Sequence, residues 1–251
     1  MSDSAAANLG GKLGAIVPAG FRLIALDAVG STNEEALRLA AEGTAAGTVV
    51  WAREQTKGRG RRGRVWESPP GNLYCSLVLR PRRSNPAQVS FVAAVALANA
   101  IAALTPDQSV QIKWPNDVLL GNRKVAGILL EGMDGALVLG TGVNVAQAPE
   151  GAASIAGAGG VGDIETVLHR YLTEFSQWYR RWEQAGFDSI RKAWLTRATG
   201  LGREIEVRLP TETVPGTFAG LDAEGVLLLD TDRGVRRIAA GDVYVLDRSA
   251  A

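Results

Sequence analysis

Between Arg53 and Arg64 the chain places six cations, Arg53, Lys57, Arg59, Arg61, Arg62 and Arg64, against one anion, Glu54, and three glycines, Gly58, Gly60 and Gly63. No packed core accepts such a run, because desolvating unpaired charge costs too much. It must be a surface loop, and the flanking chain must supply the core. The segment is net +5 in a chain of +1, so the remainder sums to −4 and the positive charge is local. Its glycines raise the cost of ordering while letting backbone pass close to a ligand. A loop of this kind expects an anion. A solvated loop, an arginine-rich nucleic-acid segment and a dinucleotide fingerprint are the competing readings, since Gly58, Gly60 and Gly63 satisfy G-x-G-x-x-G. That pattern recurs at Gly157, Gly159 and Gly162 in an Ala/Gly-rich linker, which shows how little it discriminates alone.

At 251 residues with 46% apolar content, the chain can bury a full core as one large domain, or as a large one and a small one. No apolar run reaches the roughly 18 to 20 residues of a membrane span, and the first 20 residues lack a cationic start followed by an apolar stretch. A cytoplasmic enzyme without membrane partners is expected. The single cysteine, Cys75, excludes an internal disulfide and a thiolate metal cluster. The single histidine, His169, lies in a helical pattern and reads as a surface residue, so zinc chemistry and a Ser-His-Asp triad have almost no support. Chemistry here must rest on Lys, Arg, carboxylates and backbone.

Residues 1 to 20 read as a flexible arm, 21 to 200 as a catalytic domain and 201 to 251 as a small barrel domain. Alternating residues from Phe21 to Asp27 predict a strand. Gly30-Ser31-Thr32-Asn33 then opens a helix in which Ser31 with Glu34, or Thr32 with Glu35, fits a capping box, and Gly43 supplies the stop. Hydroxyls and free amides at a helix start are equally well placed for a polar ligand. Strands are predicted over Thr48–Ala52 and Leu73–Leu79, flanking the basic loop, Trp66 and the Pro69–Asn72 turn. An Ala-rich helix from Pro86 to Leu104 shows a 3.6-residue core face. Val110–Lys113 is strand-like, and Pro115 interrupts it. Val118–Leu120, Lys124–Met133 and Ala136–Val145 read as an antiparallel meander with turns at Gly121-Asn122 and Asp134-Gly135. Gly127, Gly140 and Gly142 suggest bulges or the approach of a ligand to bare backbone. A long amphipathic helix begins after Asp163 as N-cap, and another runs from about Phe187 to Ala198. Beyond Gly200, strands at Glu204–Leu209, Thr217–Leu221, Val226–Asp230, Val235–Ile238 and Val243–Leu246, separated by Pro215-Gly216 and two further turns, predict a small barrel.

Taken together, Gly30-Ser31-Thr32-Asn33, Gln55 with Gly58 to Arg64, Lys113-Trp114-Pro115-Asn116-Asp117 and Gly140-Thr141-Gly142-Val143-Asn144 strongly resemble the biotin protein ligase family, in family order and over nearly the whole chain from residue 21. The resemblance implies an α+β fold. A mixed, largely antiparallel sheet with helices forms a class II synthetase-like catalytic domain, joined to a C-terminal SH3-like β-barrel. It implies that biotin and ATP form biotinyl-adenylate and pyrophosphate, and that biotin passes to a lysine of the biotin carboxyl carrier domain of a carboxylase. Mg²⁺ is implied by the ATP chemistry, without assigned protein ligands.

By motif position, Ser31, Thr32, Asn33 and Gln55 would serve the ureido ring, Gly58, Arg59, Gly60 and Arg61 the biotin side of the loop, and Gly127, Gly140 and Gly142 the ligand-lining strands. Arg61, Arg64, Trp66, Asn116 and Asn144 would face the nucleotide. Lys113 would meet the biotin carboxylate and α-phosphate, making Lys113 and Arg61 the catalytic candidates. Trp114 packs against the biotin tail or into the core, and Asn116-Asp117 binds or simply turns the chain. The larger family members carry an N-terminal helix-turn-helix domain, for which about 20 residues leave no room, so DNA binding is not expected. A monomer or weak dimer is expected. A lipoate ligase shares the fold and chemistry. An octanoyltransferase would use a cysteine, whereas Cys75 reads as core. A nucleic-acid module would want more aromatic platforms than Trp66.

Overall fold

The computed structural model describes residues 17–133 and 135–246. The proposed N-terminal arm falls almost wholly outside these residues, as does Asp134 of the predicted turn. Among the described residues the strands are β1 (Arg22–Val29), β2 (Thr48–Gln55), β3 (Leu73–Leu79), β4 (Val110–Lys113), β5 (Asp117–Leu120), β6 (Arg123–Met133) and β7 (Ala136–Val143) in one sheet. A second sheet contains β8 (Glu204–Arg208), β9 (Thr213–Leu221), β10 (Leu227–Thr231), β11 (Gly234–Ile238) and β12 (Asp242–Val245). The helices are α1 (Thr32–Ala41), α2 (Val89–Ala102), α3 (Ile164–Ala185) and α4 (Asp188–Leu195).

The large sheet runs β1-β2-β3-β7-β6-β5-β4; β1 and β2 are parallel and every other pair is antiparallel. The expected antiparallel meander forms as β5-β6-β7, with β7 buried along nearly its whole length. Helix α2 is more deeply buried than one core face implies: eleven of its fourteen residues are buried, because it is apolar all round and is sandwiched between the sheet, α3 and α4. Asp163 caps α3, its Oδ1 accepting from the Thr166 amide at 2.8 Å. No helix of the described residues is long and apolar enough to cross a membrane.

The second sheet is antiparallel in the order β11-β10-β9-β8-β12, in keeping with a small SH3-like barrel. The expected break at Pro215-Gly216 is absent. Strand β9 continues through it, with Glu206 opposite Pro215 and Arg208 opposite Thr213, because the chain turns earlier, where the Leu209 amide donates to the Glu212 carbonyl. Helix α4 ends at Leu195, three residues before the predicted Ala198. The chain there leaves the helix to bridge β4, the Ile112 amide donating to Arg197 O and the Thr199 amide to Ile112 O, which covers the open sheet edge.

Aromatic packing sets the second sheet against the helices. Phe91 of α2 meets Phe187 edge-on at 5.3 Å and Trp194 at 5.7 Å, and Trp194 meets Phe218 of β9 at 6.5 Å. Gly225 has φ of +89°, and a Cβ there would lie 2.7 Å from the Phe91 ring, so the β9–β10 turn presses directly on α2. Trp194 is fully buried at this junction. Trp194→Ala should lower stability by about 3–5 kcal/mol through lost burial and the cavity left behind. Urea unfolding followed by circular dichroism measures it, and a loss under about 1 kcal/mol would mean that the junction is not well packed.

Candidate active site

One cleft lies where the large sheet, the start of α1, the basic loop and strand β12 converge. It is lined by Ser31, Thr32, Asn33, Gln55, Arg59, Gly60, Arg61, Arg64, Trp66, Lys113, Asn116, Gly127, Gly140 and Gly142, bringing together nearly every residue singled out from the sequence. Two are not among its lining. Gly58 stands behind it: a Cβ there would lie 2.2 Å from Trp66 O and 2.5 Å from Ser68 Oγ, so it permits the tight return of the loop. Asn144 is buried and spends its amide internally, Nδ2 donating to Ala153 O at 3.0 Å.

The helix start does not form the capping box. Ser31 occupies the N-cap position without a side-chain cap bond. Thr32 turns instead to Gln55, whose Oε1 accepts from the Thr32 amide at 2.9 Å and lies 3.0 Å from Thr32 Oγ1. Gln55 Nε2 donates to Ser68 Oγ at 2.9 Å. On the other side, Ser76 Oγ lies 2.8 Å from Thr32 Oγ1 and 2.6 Å from Asn33 Oδ1, and Asn33 Nδ2 donates to Glu131 at 2.7 Å. One end of the cleft is therefore a wall of hydroxyls and amides. Ser68, Ser76 and Glu131 carried no motif and were not foreseen.

The glycines leave room for side chains of the protein itself. A Cβ on Gly140 would fall 2.1 Å from Asn33 Oδ1. Gly127 and Gly142 are cross-strand partners, and the indole of Trp66 lies over them, 3.1 Å and 2.6 Å from where their Cβ atoms would sit. What approaches the bare backbone is Asn33 and Trp66. The Trp66 Nε1–H is buried with no acceptor among the described residues.

Five cations, Arg59, Arg61, Arg64, Lys113 and Lys124, line the cleft against two carboxylates, Asp117 and Asp242. Arg59 faces Glu34 and Glu131, each at 3.5 Å. Arg61 donates to Asn116 Oδ1 at 3.2 Å, while Arg62 and Arg64 both pair with Asp242 of β12. The basic loop is thus a hairpin, closed by the Arg59–Val65 bridge and tied to the second sheet. Arg62 sits at φ +57°, where a non-glycine residue is uncommon. Lys124, missed in the sequence because it looked like an ordinary strand residue, pairs with Asp117 at 2.7 Å and lies 5.2 Å from the Trp66 ring.

Lys113 differs from the rest. It is half-buried and makes no ion pair among the described residues, and its ammonium lies 5.0 Å from the centre of the Tyr244 ring. Burial lowers its ammonium pKa and Asp117 only partly opposes that. Burial likewise lowers the Arg61 pKa, with Arg62 adding repulsion. Trp114 is buried in the cleft wall, its Nε1 donating to Gly225 O at 3.4 Å, so it serves core and cleft together. Cys75 is buried in β3 and its thiol is pushed up to about 12 by desolvation, as a core residue. His169 is exposed on α3 and far from this chemistry in the fold.

Gly140→Ala should displace the Asn33 amide and leave buried polar groups unpaired, lowering stability by about 1–3 kcal/mol. Thermal and urea unfolding check this, and a variant as stable as the parent would show that Asn33 is not locked against β7.

Residues 27–147 match the Biotin/lipoate A/B protein ligase family, and residues 200–246 match the Biotin protein ligase C terminal domain. A biotin--[acetyl-CoA-carboxylase] ligase of Paracoccus denitrificans is 44% identical over 85% of this chain and 96% of its own. The bifunctional ligase/repressor BirA of Bacillus subtilis is 36% identical over 89% of this chain and 74% of its own. Among solved structures, a biotin protein ligase from Aquifex aeolicus in complex with biotin and ATP superposes with a TM-score of 0.79 at 31% identity, covering 89% of this chain and 98% of that one. Fold, cleft and sequence agree: the chain belongs to the biotin protein ligase family.

Proposed function

We propose that this protein joins biotin to ATP as biotinyl-adenylate and transfers the biotinyl group to a lysine of an acetyl-CoA carboxylase carrier domain. The observation that carries this reading is one cleft in which a wall of hydroxyls and amides, bordered by Arg59, is continuous with four further cations, Arg61, Arg64, Lys113 and Lys124. Biotin has that division: an uncharged ureido ring and a carboxylate. The relatives named above as biotin ligases support it.

The first step brings a carboxylate onto a polyphosphate, so two anions must meet and further charge builds as pyrophosphate leaves. Cations already in place lower that barrier because they need no reorganisation during reaction. Thr32, Asn33, Gln55 and Ser31 hold the ureido ring. Arg59 and Gly60 border it, and Gly140, Gly142 and Gly127 shape the floor. Lys113 neutralises the biotin carboxylate and α-phosphate oxygens, with Lys124 as a second ammonium. Arg61 and Arg64 take phosphate oxygens through their planar forks. Trp66 offers a ring face to the nucleotide, and Asn116 holds Arg61. In the second step Lys113 stabilises the carbonyl oxygen as the acceptor amine attacks and AMP leaves.

Mg²⁺, implied by the ATP chemistry, would supply charge neutralisation on the phosphates. No protein ligand is assigned to it: Asp117 and Asp242, the carboxylates of the cleft, are both paired with cations.

Biotin-dependent exchange of pyrophosphate into ATP, run beside lipoate and octanoate, tests the reading. Exchange with biotin alone supports it, and exchange only with lipoate or octanoate overturns it. Lys113→Ala should keep the fold and lose roughly 10² to 10³ in adenylation rate; near-normal turnover at saturating biotin would remove Lys113 from its role.

The pH profile follows from the burial of Lys113. The protonated form is required and its pKa is lowered, so kcat/KM should fall as pH rises through a value below the ordinary 10.5. Lys113→Arg should lack that limb, and an identical limb in both proteins would assign it elsewhere.

A further inference from the structure

The hydrogen bonds of the neutral wall do not balance as drawn. Three short oxygen–oxygen contacts link Asn33 Oδ1, Ser76 Oγ, Thr32 Oγ1 and Gln55 Oε1, at 2.6, 2.8 and 3.0 Å. Only the hydroxyls of Ser76 and Thr32 supply hydrogens for them, and each has one. The chain is one hydrogen short, so its polarity depends on its ends.

At the Gln55 end, Oε1 already accepts the Thr32 amide at 2.9 Å, which fixes the orientation of that carboxamide. At the other end, Glu131 lies 2.7 Å from Asn33 and its second oxygen faces Arg59. As a carboxylate, Glu131 only accepts. Asn33 must therefore present Nδ2 to Glu131 and Oδ1 to Ser76. Ser76 then donates to Asn33, and the single hydrogen of Thr32 goes to the shorter of its two remaining contacts, Ser76 at 2.8 Å over Gln55 at 3.0 Å, so that the second lone pair of Gln55 Oε1 is left open. In the reverse polarity, Asn33 donates to Ser76, Ser76 to Thr32 and Thr32 to Gln55, capping that lone pair. The reverse would set Asn33 Oδ1 against the Glu131 carboxylate, and is excluded by repulsion.

We infer that Glu131 is a positioning residue: through Asn33, Ser76 and Thr32 it keeps Gln55 Oε1 available to accept an N–H from the ligand. This rests on the reading of the cleft as a biotin site, in which the ureido ring brings two N–H donors. Glu131 touches neither the ring nor the reacting atoms. Its charge selects which groups on the wall face the ligand as acceptors.

Glu131→Gln removes the bias, because its amide can donate to Asn33 Oδ1 and permit the capped polarity. Titration calorimetry with biotin should show affinity reduced about tenfold, the scale of one lost hydrogen bond to the ligand. The KM for biotin should rise alike, while kcat at saturating biotin stays within about twofold, since the reacting end is untouched. The deciding measurement is the same substitution in a Ser76→Ala background, where the chain is already cut. There Glu131→Gln should change biotin affinity by less than about twofold. Thr32→Val cuts the chain at its next link and serves as a second background if Ser76→Ala does not fold. A full tenfold loss persisting in the cut chain, or no loss in the uncut one, overturns the inference while leaving biotin binding by the parent intact. Failure of the parent to bind biotin overturns the functional reading and the inference together.

Discussion

A half-buried ammonium without a counterion is the constraint from which most of this site follows. Lys113 ends β4 inside the cleft, yet no carboxylate pairs with it among the described residues, and burial weakens its hold on its proton. The carboxylates nearby are committed elsewhere, Asp117 to Lys124 and Asp242 to Arg62 and Arg64. A site that had to be stable on its own would pair Lys113 too. In the proposed reading, the missing partner is an anion brought by the ligand.

The surrounding fold keeps that arrangement in shape. Strands β6 and β7 place glycines opposite one another so that Trp66 can lie flat on the sheet, and Gly140 leaves space for the Asn33 amide. The second sheet is part of the same device. Packed on α2 and α4 by Phe91, Phe187, Trp194 and Phe218, it delivers Asp242 to the basic loop and the Tyr244 ring to Lys113. The basic loop, net +5 and rich in glycine, is tied down by Asp242, about 180 positions later in the chain.

This explains what could be read in advance. Strands Leu73–Leu79 and Val110–Lys113 match their expected bounds, because apolar runs between turn residues speak for themselves. The cleft residues were legible because several glycines, arginines and a lysine occur where no core or cap needs them. Ser76, Glu131, Lys124 and Asp242 were not, since each looks like an ordinary strand residue and acquires meaning only through a partner distant in sequence. Ser31 and Thr32 misled in the opposite sense: their spacing to Glu34 and Glu35 suits a cap, but Gln55 competes for Thr32 and wins. Pro215-Gly216 punctuated the sequence without turning the chain, because β8 and β10 hold β9 from both sides.

The most direct test is the titration of Lys113 itself, followed by NMR through its ε-methylene group with selective isotope labelling. In the free protein its pKa should lie below the ordinary lysine value, and saturation with biotin should raise it, because the ligand carboxylate supplies the counterion that the fold withholds. An unchanged pKa on saturation would contradict the account, for it would mean that the anion binds elsewhere and that Lys113 is an incidental cation of the cleft wall.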